Sequence, residues 1–397
     1  MNILVINCGS SSLKYQLIDT EKTHVLAKGI AERIGMDTSF LKHQPDGAED
    51  KIFEVKMKDH NDAMSLVVKA LTDKVCGVLD DLKEIDAIGH RITTGGMKYR
   101  DTTKITPEVV EGLMECIELA PLHLPGQIKG IRACTNMLPM VSQVAVFDTS
   151  FHQNIPPEAH IYPIPYKYYE KNHIRKYGFH GISHQYVAET AAMFLDKNIT
   201  KLKIISCHLG SGASISAIKY GNCIDNSMGF TPLDGLAMGT RSGSIDPSIM
   251  GYISKVDYKT LKQVEDILNT KSGFLGVSGI SSDLRDLEKA VNEDNNERAK
   301  LAIDIFCYRV KCTIGQYVAA MDGVDLIIFT AGIGEHSPFI RKEILKNLDY
   351  FGIDLDEKAN EKSADEMIIT KPGSKTTAVV IATNEELMIA REVMYLV

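Results

Sequence analysis

The sequence predicts an α/β fold. Three observations predict it. Short apolar runs of buried-strand type recur along all 397 residues. Longer segments with helical periodicity lie between them. Several strand-type runs end in turns rich in Gly, Ser and Thr.

The elements follow in order. Residues 2–7 (NILVIN) and 13–19 (LKYQLID) read as two strands around a Gly-Ser turn. The segment 60–81 has helical spacing, and 84–91 (EIDAIGHR) and 142–149 (SQVAVFDT) read as buried strands. A Pro-rich stretch, 154–171, is the best candidate boundary zone, because no low-complexity linker separates the halves. Strand-type runs return at 201–210, 212–221, 324–332 and 377–384, with helical segments at 297–322 and 384–397. ILVINCGSSSLKYQLI (3–18) and KIISCHLGSGASISAI (203–218) share one pattern of strand, small-residue turn and strand, and 326–337 again ends a strand in small residues. Duplicated halves facing one cleft explain the pattern. The competing reading is that many α/β proteins end strands in Gly.

Composition excludes several classes. The chain is 44% apolar with a formal net charge of −8. It is neither disordered nor collagen-like, and it lacks the basic excess of a nucleic-acid binder. Its eight cysteines contain no CxxC pair, which points to a reducing compartment. MNILVINCG has no basic region before its apolar run, and no apolar run reaches 18 residues. A soluble, cytoplasmic protein is expected.

The turns suggest an anion. In 7–14, Asn-Cys-Gly-Ser-Ser-Ser-Leu-Lys, backbone N–H groups, hydroxyls and Lys14 suit a phosphate chain with its Mg²⁺. The sequence has neither a P-loop nor a GxGxxG fingerprint. One such loop is more often an ordinary tight hairpin; three shift the balance toward a nucleotide. Arg91 and Arg241 lie in glycine-flanked loops, where a planar fork suits carboxylate or phosphate; a structural ion pair is the alternative for each. Asp148 ends a buried strand, a common site position in α/β folds, and competes with a helix N-cap role. His123, His180, His184 and His208 lie in Gly or Pro loops without metal-ligand spacing.

These motifs together resemble the acetate kinases, acyl-phosphate-forming kinases of the actin and sugar kinase superfamily. The resemblance spans nearly the whole chain and includes, in family order, GHR, LAPLH, VFDTSFH, YGFHGISH, HLGSGAS, SMGFTPLDGLAMGTRSG, SSDLRDL and TAGIGEHS. It implies two actin-like (ribonuclease H-like) domains with a duplicated core and an interdomain cleft. They would span 1–149, with a helix at 385–397 packing back, and 150–384. It implies reversible in-line phosphoryl transfer, ATP plus acetate giving ADP plus acetyl phosphate, with Mg²⁺ or Mn²⁺. A cytoplasmic homodimer without nucleic-acid or membrane partners is also implied.

Matched residue by residue, the resemblance makes Asp148, Arg91, His180 and Arg241 catalytic, with the two arginines holding carboxylate and phosphoryl group. It makes Asn7 and Glu385 the magnesium positions, with Glu386 one residue away. Lys14 contacts nucleotide phosphate. His208, Leu209, Gly210, Ser211 and Gly212, then Asp283, Leu284 and Arg285, then Gly332, Ile333, Gly334, Glu335 and His336 line the ATP site. Thr93, Leu122, Phe179 and Pro232 form the acyl pocket. The chain departs from the family pattern at Thr93 and Thr94 (Val and His), Leu124 (Asn), Ser211 (Asn), Ser244 (Asp) and His336 (Asn). These departures keep open a propionate or other short-chain acyl kinase, and pyrophosphate as donor. A non-catalytic actin-like nucleotide binder is the alternative from another class.

Overall fold

Two mixed sheets organise the chain. The computed structural model describes residues 1–397, which divide into unit 1, residues 1–150 with 384–397, and unit 2, residues 151–383.

In unit 1 the strands are β1 (Asn2–Cys8), β2 (Ser12–Asp19), β3 (His24–Glu32), β4 (Phe40–Pro45), β5 (Lys51–Phe53), β6 (Ala87–Ile92), β7 (Thr103–Lys104) and β8 (Ser142–Phe147). Their order in the sheet is β5-β4-β3-β2-β1-β6-β8-β7. Unit 2 contains β9 (Lys203–Leu209), β10 (Ala213–Lys219), β11 (Asn222–Asn226), β12 (Leu326–Thr330), β13 (Glu366–Ile368) and β14 (Thr377–Ile381), in the order β11-β10-β9-β12-β14-β13.

The two sheets carry one repeated core. In β3-β2-β1-β6-β8, the first two pairings are antiparallel and the next two parallel. In β11-β10-β9-β12-β14 the senses are the same. The related segments 3–18 and 203–218 are the β1–β2 and β9–β10 hairpins. Strands β4 and β5 extend unit 1 alone. The sequence reading missed them because 40–53 mixes exposed and buried positions without a continuous apolar run.

Helices cover the central strands. His60–Leu71 and Leu124–Met137 contribute Met64, Val67, Ala133 and Cys134 to a core shared with Leu4, Ile6 and Leu17. The helix Glu385–Met394 packs on β1, β6 and β8. It comes so close that a Cβ at Gly89 of β6 would lie 2.6 Å from Ile389 Cγ2. In unit 2, Gly181–Phe194 occupies the corresponding place on β9, β12 and β14. One helix on each sheet is therefore supplied by chain that follows the other unit's last strand, after β8 and after β14.

Two expectations change. The segment 60–81 is helical only to Leu71, because Asp73 Oδ1 accepts from Val75 N (2.9 Å) and Cys76 N (3.1 Å) and turns the chain. The Pro-rich stretch 154–171 lies within unit 2 and forms the short helices Pro157–His160 and Lys167–Asn172. No helix is long and apolar enough to cross a membrane.

Candidate active site

Unit 1 holds a tight turn and a charge cluster. Between β1 and β2, Gly9 N donates to Ser12 O (2.9 Å), and His60 Nε2 donates to Gly9 O (2.9 Å). The glycines of Leu124–Met137 let that helix approach the turn: a Cβ on Gly126 would sit 2.5 Å from Gly9 O. Gly130 faces Cys8 Sγ too closely for any side chain. The turn is thus held from two sides before any ligand arrives. At its base Asn7 stands opposite Lys14 in the ladder, Asn7 half-buried and Lys14 exposed.

Arg91, near the end of β6, spends its whole fork on carboxylates. Nε lies 3.2 Å from each Asp148 oxygen, Nη2 donates to Asp148 Oδ2 (3.0 Å), and Nη1 donates to Glu385 Oε2 (2.8 Å). Asp148 is positioned by its own N–H, which donates to Ile92 O (2.9 Å) and continues the β6–β8 ladder. Glu385 opens its helix, with Asn384 as N-cap. Burial disfavours the Arg91 charge, but Asp148 and Glu385 outweigh it and hold the guanidinium ionised. Glu386 is pushed upward, first by burial and then by Glu385. Two cations, Arg91 and Lys14, act on Glu386, against the three acids Asp148, Glu385 and Glu386.

No three His, Cys, Asp or Glu side chains are arranged to hold a metal by themselves. Mg²⁺ rarely uses an all-protein cage: it takes one or two carboxylates, keeps waters and shares substrate phosphates. The hard oxygens of Asn7 and Glu385, with Glu386 short of positive charge, fit such an ion.

The departure at Thr93 is explained locally. Gln127 Nε2 donates to Thr93 Oγ1 (2.8 Å), and Thr93 N donates to Gln127 Oε1 (3.0 Å). The hydroxyl is turned to a buried amide, and the remaining faces of the Thr93 Cβ are hydrocarbon. Thr94 is fully buried, and its Oγ1 accepts from Gly96 N (3.1 Å). Leu122 is 64% exposed and stands apart from the core.

Unit 2 holds a turn and a cluster of its own. In the β9–β10 turn, Gly210 N donates to Gly212 O (3.2 Å). The ideal Cβ position of Gly212 lies 3.5 Å from His180 Nε2 and 3.6 Å from Arg241 Nη1. Imidazole and guanidinium therefore converge on a turn that carries no side chain there. His180 caps Gly181–Phe194 in the left-handed region (φ 57°) and stacks on His208, ring centroids 4.2 Å apart. Phe179 before it is buried. Arg241 Nη1 donates to Pro232 O (3.2 Å), and its other contact is Met238 Sδ. No carboxylate neutralises Arg241, and burial lowers its pKa.

Beside this turn is a cavity of about 370 Å³. Its wall contains Gly210, Ser211, Asp283, Leu284, Arg285, Gly332, Ile333 and His336 from the sequence reading. It also contains Phe274, Ser282, Glu288 and Ser337, which that reading missed. Three segments far apart in sequence thus meet on one cavity, of a size typical for small-molecule sites. Asp283 caps its helix and pairs with Arg285, whose Nε donates to Oδ1 (3.0 Å).

Other expected residues lie behind the wall. The His208 ring is bonded to Ser183 Oγ (2.8 Å), and Leu209 is fully buried. Glu335 Oε1 accepts from Ala331 N (2.7 Å) and Thr383 N (3.1 Å). It thereby stabilises Ala331, a non-glycine residue at φ 62° where β12 turns into Ala331–His336. Fully buried Arg341 donates to Gly334 O (2.9 Å) and Glu335 O (2.8 Å), and burial lowers its pKa to about 10. The missed residues gave no motif. The exception is Gly126 and Gly130, whose four-residue spacing on a helix signals a close approach.

Comparison with known proteins follows the same lines. Residues 2–391 match the model of the Acetokinase family. The chain is 56% identical over 392 residues to an acetate kinase of Thermoanaerobacterium thermosaccharolyticum, covering 99% of this chain and 98% of the relative. The crystal structure of Porphyromonas gingivalis acetate kinase is similar at TM-score 0.94 and 44% identity, with 99% of each chain covered. That of a propionate kinase from Francisella tularensis is similar at TM-score 0.91 and 41% identity, with 98% of each covered.

Proposed function

Because the chain belongs to the acetokinase family, we propose that it transfers the terminal phosphoryl group of ATP to acetate, reversibly, forming ADP and acetyl phosphate. The observation that carries this reading is the meeting of His180 and uncompensated Arg241 at Gly212, beside the cavity of unit 2.

The chemistry suits these groups. A carboxylic acid of pKa about 4–5 is already ionised at neutral pH and needs no base. The obstacle is bringing an anion onto a polyanion, so the protein must supply positive charge and alignment. In unit 2 the wall segments 210–211, 283–285 and 332–336 hold the nucleotide, while Arg241 and His180 donate to the transferring phosphoryl oxygens. In unit 1 Asp148 acts by aiming Arg91, from which it accepts three hydrogen bonds. Asn7 and Glu385 hold Mg²⁺, Lys14 contacts phosphate, and Thr93, Leu122, Phe179 and Pro232 receive the acyl methyl. Bound Mg²⁺ neutralises phosphate charge. We place the enzyme in the cytoplasm as a homodimer.

Propionate as acceptor is the second reading, favoured by the likeness to a propionate kinase. One methylene changes selectivity by only about 10- to 200-fold. The Thr93–Gln127 pair favours acetate, because it presents the hydrocarbon a valine would. The test is hydroxylamine trapping of acyl phosphate over ATP, GTP and pyrophosphate with acetate, propionate and butyrate. Highest specificity for ATP with acetate is expected. A preference for propionate or pyrophosphate changes the substrate and keeps the mechanism. Mg-ATP binding without product from any pair overturns the proposal.

A further inference from the structure

Behind His180 runs a buried polar chain that the reaction does not obviously need. Ser214 Oγ, on β10, lies 2.9 Å from His180 Nδ1 and 2.7 Å from His184 Nε2. His184 Nδ1 in turn lies 2.9 Å from Ser206 Oγ on β9. Ser206, His184 and Ser214 are fully buried. Burial, then neighbouring His152 and His208, pushes the His184 pKa well below the ordinary histidine value, so its ring is neutral.

Hydrogen counting fixes the direction of such a chain. With both rings neutral, two hydroxyls and two imidazoles carry one hydrogen each, four in all, and the chain has three links. One hydrogen must point out of an end. In one orientation it leaves from Ser206 Oγ; in the other it leaves from His180 Nε2. Ser206 Oγ has no hydrogen-bond partner except His184, so the first orientation strands a hydroxyl hydrogen in the core. A stranded buried donor biases the equilibrium by about 5- to 150-fold. In the favoured orientation Ser206 donates to His184 Nδ1, His184 Nε2–H donates to Ser214, and Ser214 donates to His180 Nδ1. The outward hydrogen then sits on His180 Nε2, the atom beside Gly212 and Arg241.

We propose that Ser206, His184 and Ser214 are positioning residues that lock His180 in its Nε2–H form, so that the neutral ring is already a donor toward the phosphoryl group. This inference rests on the proposed role of His180. It implies that protonation of His180 is not required for its donor function.

The test is two-bond ¹H–¹⁵N correlation on full-length, ¹⁵N-histidine-labelled protein at pH 8, with His180 assigned from His180→Asn. A single Nε2–H tautomer is expected. Ser206→Ala removes one oxygen and makes both orientations equally unsatisfied. His180 should then become a mixture and kcat fall about two- to fivefold at unchanged KM for ATP. Ser206→Thr, which keeps the hydroxyl, should restore both. An Nδ1–H tautomer in the parent protein, or one indifferent to Ser206→Ala, overturns the relay. A tautomer that shifts while kcat holds leaves the relay standing and removes His180 from the proposed donor set.

Discussion

Arg91 and Arg241 are the same side chain in opposite electrical settings. Arg91 is enclosed by Asp148 and Glu385, with Glu386 nearby, so its surroundings remain net negative. Arg241 rests on a proline carbonyl and a thioether with no acid against it. From the sequence both looked like anion-holding forks. In the structure only Arg241 keeps a full charge to offer, whereas Arg91 organises acids that themselves suit a cation. The lesson is that a functional arginine is defined by what neutralises it. The repeated core carries two different charge settings: Arg91 in unit 1 is paired with Asp148 and Glu385, and Arg241 in unit 2 has no acid against it.

The comparison breaks most readily at Arg241. Arg241→Ala should lower kcat about 10³-fold without unfolding the protein, since no ion pair is lost. Wild-type thermal stability together with the rate loss would confirm an uncompensated charge; a large drop in melting temperature would show a hidden structural role. Asp148→Asn should cost about 10²-fold in kcat, because Arg91 keeps Glu385 but loses its aim. Partial recovery at raised Mg²⁺ is expected, and complete loss at every Mg²⁺ level would assign Asp148 a direct chemical role. Gly126→Ala tests the turn rather than the charge. It should destabilise unit 1 by about 1–3 kcal/mol in chemical unfolding and raise KM for Mg-ATP.

The smallest effect should make the units behave alike. His90 in unit 1 and His152 in unit 2 are both held near pKa 4, by burial first. A histidine depressed in the folded state binds its proton more readily when unfolded, so stability falls as pH drops from about 6.5 toward 4. Between pH 7 and 5.5 each should cost about 1 kcal/mol. His90→Gln should remove its share of that slope, measured by denaturant unfolding across the window. An unchanged slope would place the acid sensitivity elsewhere.

How much was legible follows from where each signal lives. The hairpins 2–19 and 201–221 were readable because their strands are continuous apolar runs around Gly-Ser turns. The wall residues 283–285, 332, 333 and 336 were readable only through resemblance, since no local rule brings three distant segments to one cavity. Gln127 was invisible because its role depends on Thr93, thirty-four positions earlier in the chain. Glu335 and His208 stand in motifs that the resemblance gives to the ATP site, yet their side chains serve backbone N–H groups and a serine. A motif fixes which residue is present. Packing decides which of its atoms is left for a ligand.

The late position of the helix Glu385–Met394 in the chain has a consequence for how the protein is made. Unit 1 has its strands once residue 150 is made, but the helix Glu385–Met394, which covers β1, β6 and β8 and carries Glu385, is synthesised only after the whole of unit 2. At ordinary elongation rates it must wait on the order of 10–50 s while residues 151–383 are synthesised. A nascent chain that has not reached residue 384 therefore displays the uncovered face of β1, β6 and β8 to chaperones and proteases. Glu385 thus joins the Arg91 cluster in the same step that covers the sheet.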